Sequence, residues 1–282
     1  MSPAGGTDEF MVLVRATLLD ALEALAAQRE AIVVIGAQAV YLHTGGAEVA
    51  IAEFTKDSDL AIDPRELTDD PRIEAAMEAA RFTRTPDAQP GAWLSPRGVP
   101  VDLMVPESLA GPGSPSTRGA RIPPHNRRAA RRAVGLEAAM VDASPTQISA
   151  LDPDDPRTFT IRVAGPAALL VAKLHKIAER TTTPHRLADK DAHDVYRLLR
   201  AVPAGTIAGS LRSLLDDPLS RDVTRSALGH LSVLFADGPD RTGSLMAGRA
   251  EEGVGDPEQV SVAVSFLAAD LLTATPQAEK SQ

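Results

Sequence analysis

The sequence has no cysteine, few aromatic residues and no hydrophobic run long enough to cross a bilayer. Without cysteine it has no disulfides, thiolate nucleophiles, zinc fingers or iron–sulfur sites. Aromatic residues make up 3% of the chain, which argues against the base-stacking platforms of single-strand-binding proteins. The most apolar stretch, residues 31–42, is short and interrupted by Gln38. The first ten residues are unlike a signal or transit peptide, so we expect a cytoplasmic protein without membrane contact.

Charge is unevenly distributed along the chain. The formal net charge of -9 argues against a protein that coats nucleic acid over its whole surface. Residues 118–132, however, contain arginines and no acid. This stretch is either a solvated loop or a local patch that binds phosphates or RNA, and the sequence leaves both interpretations open. The candidate RNA-binding residues are Arg127, Arg128, Arg131 and Arg132.

Hydrophobic periodicity predicts an N-terminal half that mixes helices and strands. Three helices are expected. The first covers residues 8–29, the second begins directly after Gly36, and the third follows Pro71 and covers residues 72–82. Short β-branched runs predict strands at 31–35, 58–62, 99–105 and 158–163. Between the last two strands, proline, glycine and serine predict loops with a short helix around 126–133.

The C-terminal half is helical in pattern. Amphipathic stretches predict helices over 166–180, 188–202, 205–216, 219–235 and 257–273. We therefore predict an α+β fold, with a mixed β-sheet flanked by helices in a domain of residues 1–160. An α-helical C-terminal domain of residues 161–282 follows it, with a disordered tail after about residue 276.

Three aspartates are the best candidates for chemistry. Asp57 and Asp59 are two residues apart, so on a strand both side chains point to the same face. Paired carboxylates suit Mg²⁺, which prefers oxygen ligands, although a solvent-facing strand also often carries two acids. Asp102 interrupts the apolar strand of residues 99–105, where a carboxylate either faces solvent or binds a metal. A sheet that places the two strands side by side would bring the three carboxylates together.

The order of these motifs resembles the nucleotidyltransferase superfamily of the polymerase-β type. The runs that carry the resemblance are VVIGAQAVYLHTGG, FTKDSDLAID and VPVDLMVP. In that superfamily a small-residue pair after a strand opens a helix, an aspartate pair lies on the next strand, and a third acid follows. Gly36-Ala37 corresponds to the small pair here, with Ala37 in place of the usual glycine or small polar residue.

The downstream half is similar to the AbiEii/AbiGii-type toxin nucleotidyltransferases, which include the MenT toxins. The runs LLVAKLHKIAER and RLADKDAHDVYRLL carry this likeness. That branch has a lysine on one helix, which matches Lys173. On the next helix it has a basic-Asp pair and a further aspartate, which match Lys190-Asp191 and Asp194.

The resemblance implies a reaction and a site. Asp57, Asp59 and Asp102 would bind Mg²⁺ or Mn²⁺ and act in catalysis. Gly36, Ala37 and Lys173 would bind the nucleotide, and Asp191 would pair with Lys173. The enzyme would transfer a nucleotide from an NTP to an acceptor hydroxyl, with a tRNA 3′ end as one candidate, and would act as a toxin with a cognate antitoxin.

Small-molecule and protein acceptors remain open, because the motifs describe only the nucleotide side of the reaction. A different class of function also remains open. Without catalysis, the fold could serve as a module that binds a nucleotide or a partner, and Ala37 is the feature that favours this alternative.

Overall fold

The computed structural model describes residues 4–45, 57–84, 89–114, 116–181, 183 and 188–275. The predicted disordered tail lies outside these residues. Within them, a mixed seven-stranded sheet is flanked by helices and followed by a helical region, so the predicted α+β fold is confirmed.

The sheet has the strand order β3-β4-β2-β1-β7-β6, with β5 also paired to β4. Its strands are β1 (Ile32–Ile35), β2 (Ser58–Ile62), β3 (Ala92–Leu94), β4 (Pro100–Pro106), β5 (Arg131–Ala133), β6 (Ala143–Ser149) and β7 (Thr158–Ala164). β1 runs antiparallel to β2 and parallel to β7, while β2 runs parallel to β4. The four predicted strands correspond to β1, β2, β4 and β7, whose central hydrophobic residues are buried, as the β-branched runs indicated.

The helices are α1 (Ala4–Ala24), α2 (Gly36–Thr44), α3 (Ile73–Ala79), α4 (Glu137–Val141), α5 (Pro166–Thr181), α6 (Asp189–Ala201), α7 (Ala204–Asp216), α8 (Arg221–Leu231), α9 (Thr242–Arg249) and α10 (Pro257–Ala274). Four of them differ from prediction: α4, in the region between β4 and β7, and α1, α3 and α9. α1 ends earlier than expected and a 3₁₀ helix, Ala26–Ala31, leads into β1. α3 is shorter than its apolar pattern, and α9 was not predicted.

The region between β4 and β7 was predicted wrongly. It was expected to form loops with a helix around 126–133, yet it contains β5, α4 and β6. β6 pairs with β7 over seven residues and lies at the edge of the sheet. An edge strand tolerates polar residues and Pro145, so its composition resembles that of a loop. β5 has only three residues and depends on its pairing with β4.

The chain divides into two compact units. The first consists of Met1–Ala39 and Phe54–Ala164, and the second of Val40–Glu53 and Gly165–Gln282. The sheet belongs to the first unit and helices α5 to α10 belong to the second. Among the described residues, no helix has the length and apolar character needed to cross a membrane.

Candidate active site

Two of the predicted carboxylates are neighbours on adjacent strands. Asp59 of β2 and Asp102 of β4 are direct partners in the parallel pairing of these strands. Strands lie about 4.8 Å apart, and partners in register project from the same face, so the two side chains start side by side. The two strands therefore have the side-by-side arrangement that the sequence analysis named as the condition for bringing these carboxylates together.

The opposite face of β2 is covered by α1. Ser58 is fully buried, and its hydroxyl donates to the carbonyl of Val14 in α1 at 3.4 Å. Because side chains alternate along a strand, Asp59 points away from α1, and it is only half-buried. Asp57 directly precedes β2 and is half-buried as well.

The Asp59 carboxylate lies against the turn at Gly36, where β1 ends and α2 begins. Gly36 has a φ of 69°, and a Cβ at this position would overlap the carboxylate of Asp59. A left-handed backbone and the absence of a side chain are both needed here, which explains why the position is glycine. Ala37 follows within the first turn of α2, whose N–H groups have no helical partner and favour an anion.

Asp102 has a partner that the sequence did not indicate. Arg131 of β5 donates from Nη2 to Oδ2 of Asp102 at 2.6 Å, and both side chains are about one-quarter exposed. The contact was missed because residues 126–133 were expected to be helical. Arginine is a frequent partner for a lone carboxylate, but no local sequence signal places Arg131 beside Asp102.

The other candidate RNA-binding arginines are placed differently. Arg132 donates to the carboxylate of Glu107 and to the carbonyl of Gly111. Arg127 is exposed and Arg128 is half-buried. Of the four candidates, only Arg127 is therefore exposed, and the other three are half-buried.

The donor set suits a divalent cation in its chemistry. It consists of carboxylate oxygens alone, which Mg²⁺ and Mn²⁺ prefer, and it projects from one face of two paired strands. Among the residues that the structure describes, no three acidic or imidazole groups converge as a metal cluster. The bond from Arg131 holds one oxygen of Asp102 in the present arrangement.

In the second unit, Lys173 forms a buried ion cluster. Its ammonium group lies 2.8 Å from Asp191 and 2.6 Å from Asp194. Lys176 and Arg180 contact the same Asp191 carboxylate at 3.0 and 3.1 Å. Lys173 is 6% exposed and Asp191 is 1% exposed, so neither is an ordinary surface residue.

The cluster keeps Lys173 and Asp191 charged. Burial by itself lowers the pKa of Lys173, but the charges of Asp191 and Asp194 outweigh it and raise that pKa. Burial by itself raises the pKa of Asp191, but Lys173 and Lys176 outweigh it and hold that pKa well below its usual range. Three cations meet two carboxylates, so these five contacting groups carry a net positive charge.

A family model described as nucleotidyltransferase matches residues 14–214, more than two thirds of the chain. The chain belongs to this nucleotidyltransferase family. Membership makes the protein a nucleotidyltransferase enzyme with an NTP as its substrate, and it counts against the non-catalytic alternative. The match covers the sheet with its aspartates and also α5 and α6 with the ion cluster. A search of the curated proteins gives no match.

Proposed function

We propose that Asp57, Asp59 and Asp102 form the metal-binding catalytic site of this nucleotidyltransferase. The pairing of Asp59 with Asp102 on adjacent strands is the observation that carries the proposal. Beside them lies the Gly36 turn, which accommodates the Asp59 carboxylate and opens α2. Acidic ligands and an anion-favouring helix terminus are the two elements that a metal–triphosphate complex requires.

Nucleotidyl transfer depends more on charge neutralisation and positioning than on covalent chemistry from the protein. Asp57, Asp59 and Asp102 would hold Mg²⁺ or Mn²⁺, which supplies neutralisation of phosphate charge when bound. The N–H groups of the first turn of α2, at Gly36 and Ala37, would orient triphosphate oxygens. Asp102 accepts the proton of the attacking hydroxyl, whose oxygen forms a bond to the α-phosphorus as pyrophosphate leaves.

The roles of Lys173 and Asp191, the acceptor and the biological role are proposed from the likeness to the toxin branch. Its support is the contact between Lys173, Asp191 and Asp194, which brings together the three residues that match that branch. We assign Lys173 to nucleotide binding and Asp191 to holding it. The acceptor is a tRNA 3′ end, and the arginine-rich segment of residues 118–132, which includes the exposed Arg127, would contact the RNA backbone. The protein acts as a cytoplasmic toxin restrained by an antitoxin.

The test is label transfer in the presence of Mg²⁺, each labelled NTP in turn, and either total tRNA or cell lysate. Wild type should incorporate label, and Asp59→Ala should lose it. Asp222→Ala is the matched control, since the Asp222 side chain is 92% exposed on α8. Equal incorporation by wild type and Asp59→Ala would refute the assigned site. Incorporation into lysate protein or small molecules, but not into tRNA, would refute the tRNA acceptor alone.

A further inference from the structure

Arg131 and the two paired aspartates lie on one face of three consecutive strands. Asp59 of β2 is the partner of Asp102 in β4, and Met104, two residues further along β4, is the partner of Arg131 in β5. Side chains two residues apart share a face, so Arg131 starts on the same face as Asp102. From there its guanidinium reaches back to the Asp102 carboxylate.

The backbone fixes this position of Arg131. Gly91 has a φ of 79°, and a Cβ there would overlap the carbonyl of Leu103 and the backbone nitrogen of Arg131. Gly91 also accepts a hydrogen bond from Leu103 and donates one to the carbonyl of Arg128. This close contact between three segments holds the start of β5 against β4. The position of Arg131 beside Asp102 is therefore set by the pairing of strands in the sheet.

A cation between these two strands would reduce the repulsion between their carboxylates. Two carboxylates on neighbouring strands repel each other, and an opposite charge nearby reduces this repulsion. Arg131 supplies one such charge through a short, charge-assisted bond. A divalent cation would supply more charge, and it would use the same carboxylate as a ligand.

We propose that Arg131 is the resident counter-cation of Asp102 and that it competes with the divalent cation for this carboxylate. The inference rests on the proposed metal site and names a positioning residue within it. Metal binding releases the guanidinium from Asp102, and loss of the metal allows it to return. In the opposite role, Arg131 would orient Asp102 to receive the metal, and replacing Arg131 would then weaken metal binding.

The first experiment measures Mn²⁺ binding directly, from the free Mn²⁺ signal in electron paramagnetic resonance. Arg131→Gln should bind Mn²⁺ about three- to tenfold more tightly than wild type, because the guanidinium no longer competes with Mn²⁺ for the Asp102 carboxylate. The effect is modest because the bond between Arg131 and Asp102 is partly exposed. Arg131→Lys keeps the charge and should stay close to wild type. Arg225→Gln removes the same formal charge from an exposed position on α8 and should leave the Mn²⁺ affinity unchanged.

An unchanged or weaker Mn²⁺ affinity of Arg131→Gln would overturn the inference. Asp59→Asn separates this failure from failure of the proposed function. If Asp59→Asn binds Mn²⁺ as well as wild type does, the metal site itself is wrong. If wild type and Arg131→Gln both fail to bind Mn²⁺ at millimolar concentration, the site and the inference are overturned together.

A second measurement uses wild type alone and does not depend on the folding of a variant. Phenylglyoxal modifies free guanidinium groups, and peptide mass spectrometry reports the rate at each arginine. Mn²⁺ should increase the modification rate of Arg131 severalfold, while that of Arg225 should not change. A rate at Arg131 that Mn²⁺ leaves unchanged or decreases would contradict release of the guanidinium.

Discussion

Gly36 and Asp59 are in such close contact that no side chain fits between them. The turn at the end of β1 takes a left-handed φ of 69°, and the Asp59 carboxylate occupies the space that a Cβ would fill. Strand, turn and carboxylate are therefore one structural unit. Gly36 both opens α2 and sets the position of a proposed metal ligand.

Gly36→Ala should lower the rate of nucleotide transfer about a hundredfold, whereas the free energy of unfolding should fall by only about 1–2 kcal/mol. The new methyl group displaces the Asp59 carboxylate, and misplacement of a catalytic group by about 1 Å costs about a hundredfold in rate. The left-handed backbone adds about 1–2 kcal/mol of strain to the folded state. Label transfer and urea denaturation measure the two effects separately.

Gly98→Ala is the matched control for this experiment. Gly98 has a φ of 79°, but no atom lies within 4 Å of the place that a Cβ would occupy, so it shares the backbone strain without the overlap. It should lose a similar amount of stability and keep its transfer activity. Equal activity losses in the two variants would show that the contact between Gly36 and Asp59 has no part in catalysis.

Much of this site was predictable because its signals are local. A β-branched run ending at Gly36 predicts a buried strand and a turn, and the two-residue spacing of Asp57 and Asp59 predicts that both lie on one face. In the structure Asp57 directly precedes β2, so only Asp59 lies on the strand. The pairing of Asp59 with Asp102 followed from assuming that their strands are adjacent, and the register confirms this adjacency. In the second unit, the amphipathic pattern predicted α5 and α6, which bring Lys173 to Asp191.

The contact between Arg131 and Asp102 was not predictable in this way. β5 is three residues long, and it forms only because β4 offers an edge and Gly91 allows close approach. Both conditions lie far from residue 131 in sequence, whereas periodicity reports only local structure. The arginine-rich composition of residues 118–132 suggested a surface patch, whereas the pairing of β5 with β4 places Arg131 in contact with Asp102.

Lys173→Met should destabilise the second unit strongly. It leaves Asp191 and Asp194 buried with less compensation, and breaking a buried pair costs about 3–5 kcal/mol. Urea denaturation followed by circular dichroism measures the loss. Lys190→Met removes a lysine from the same helix as Asp191 and should have a smaller effect. A loss below about 1 kcal/mol in Lys173→Met would contradict the importance of the cluster.

The same cluster predicts how stability depends on pH. The pKa of Asp191 is lowered on folding, so its contribution is present above the unfolded value of about 4 and is lost as pH falls further. The pKa of Lys173 is raised, so its contribution is present below the unfolded value of about 10.4 and is lost as pH rises further. Wild type should therefore keep this contribution between about pH 4 and pH 10. The urea midpoints of wild type and Lys173→Met should differ most within that window. A difference that appears only below pH 4 would contradict this predicted pH dependence.

A second buried pair in the same unit provides an independent test of its packing. His193 of α6 and Glu251, just after α9, lie 2.7 Å apart, and each is 3% exposed. Glu251→Ala removes the partner of a buried imidazole, which costs about 1–3 kcal/mol, whereas Glu252→Ala at the adjacent exposed position should cost little. Urea denaturation of both variants measures the difference. Because the pair joins α6 to the end of α9, its loss should also increase amide hydrogen exchange in both segments. Equal stabilities of the two variants would show that the contact adds nothing to the packing of α6.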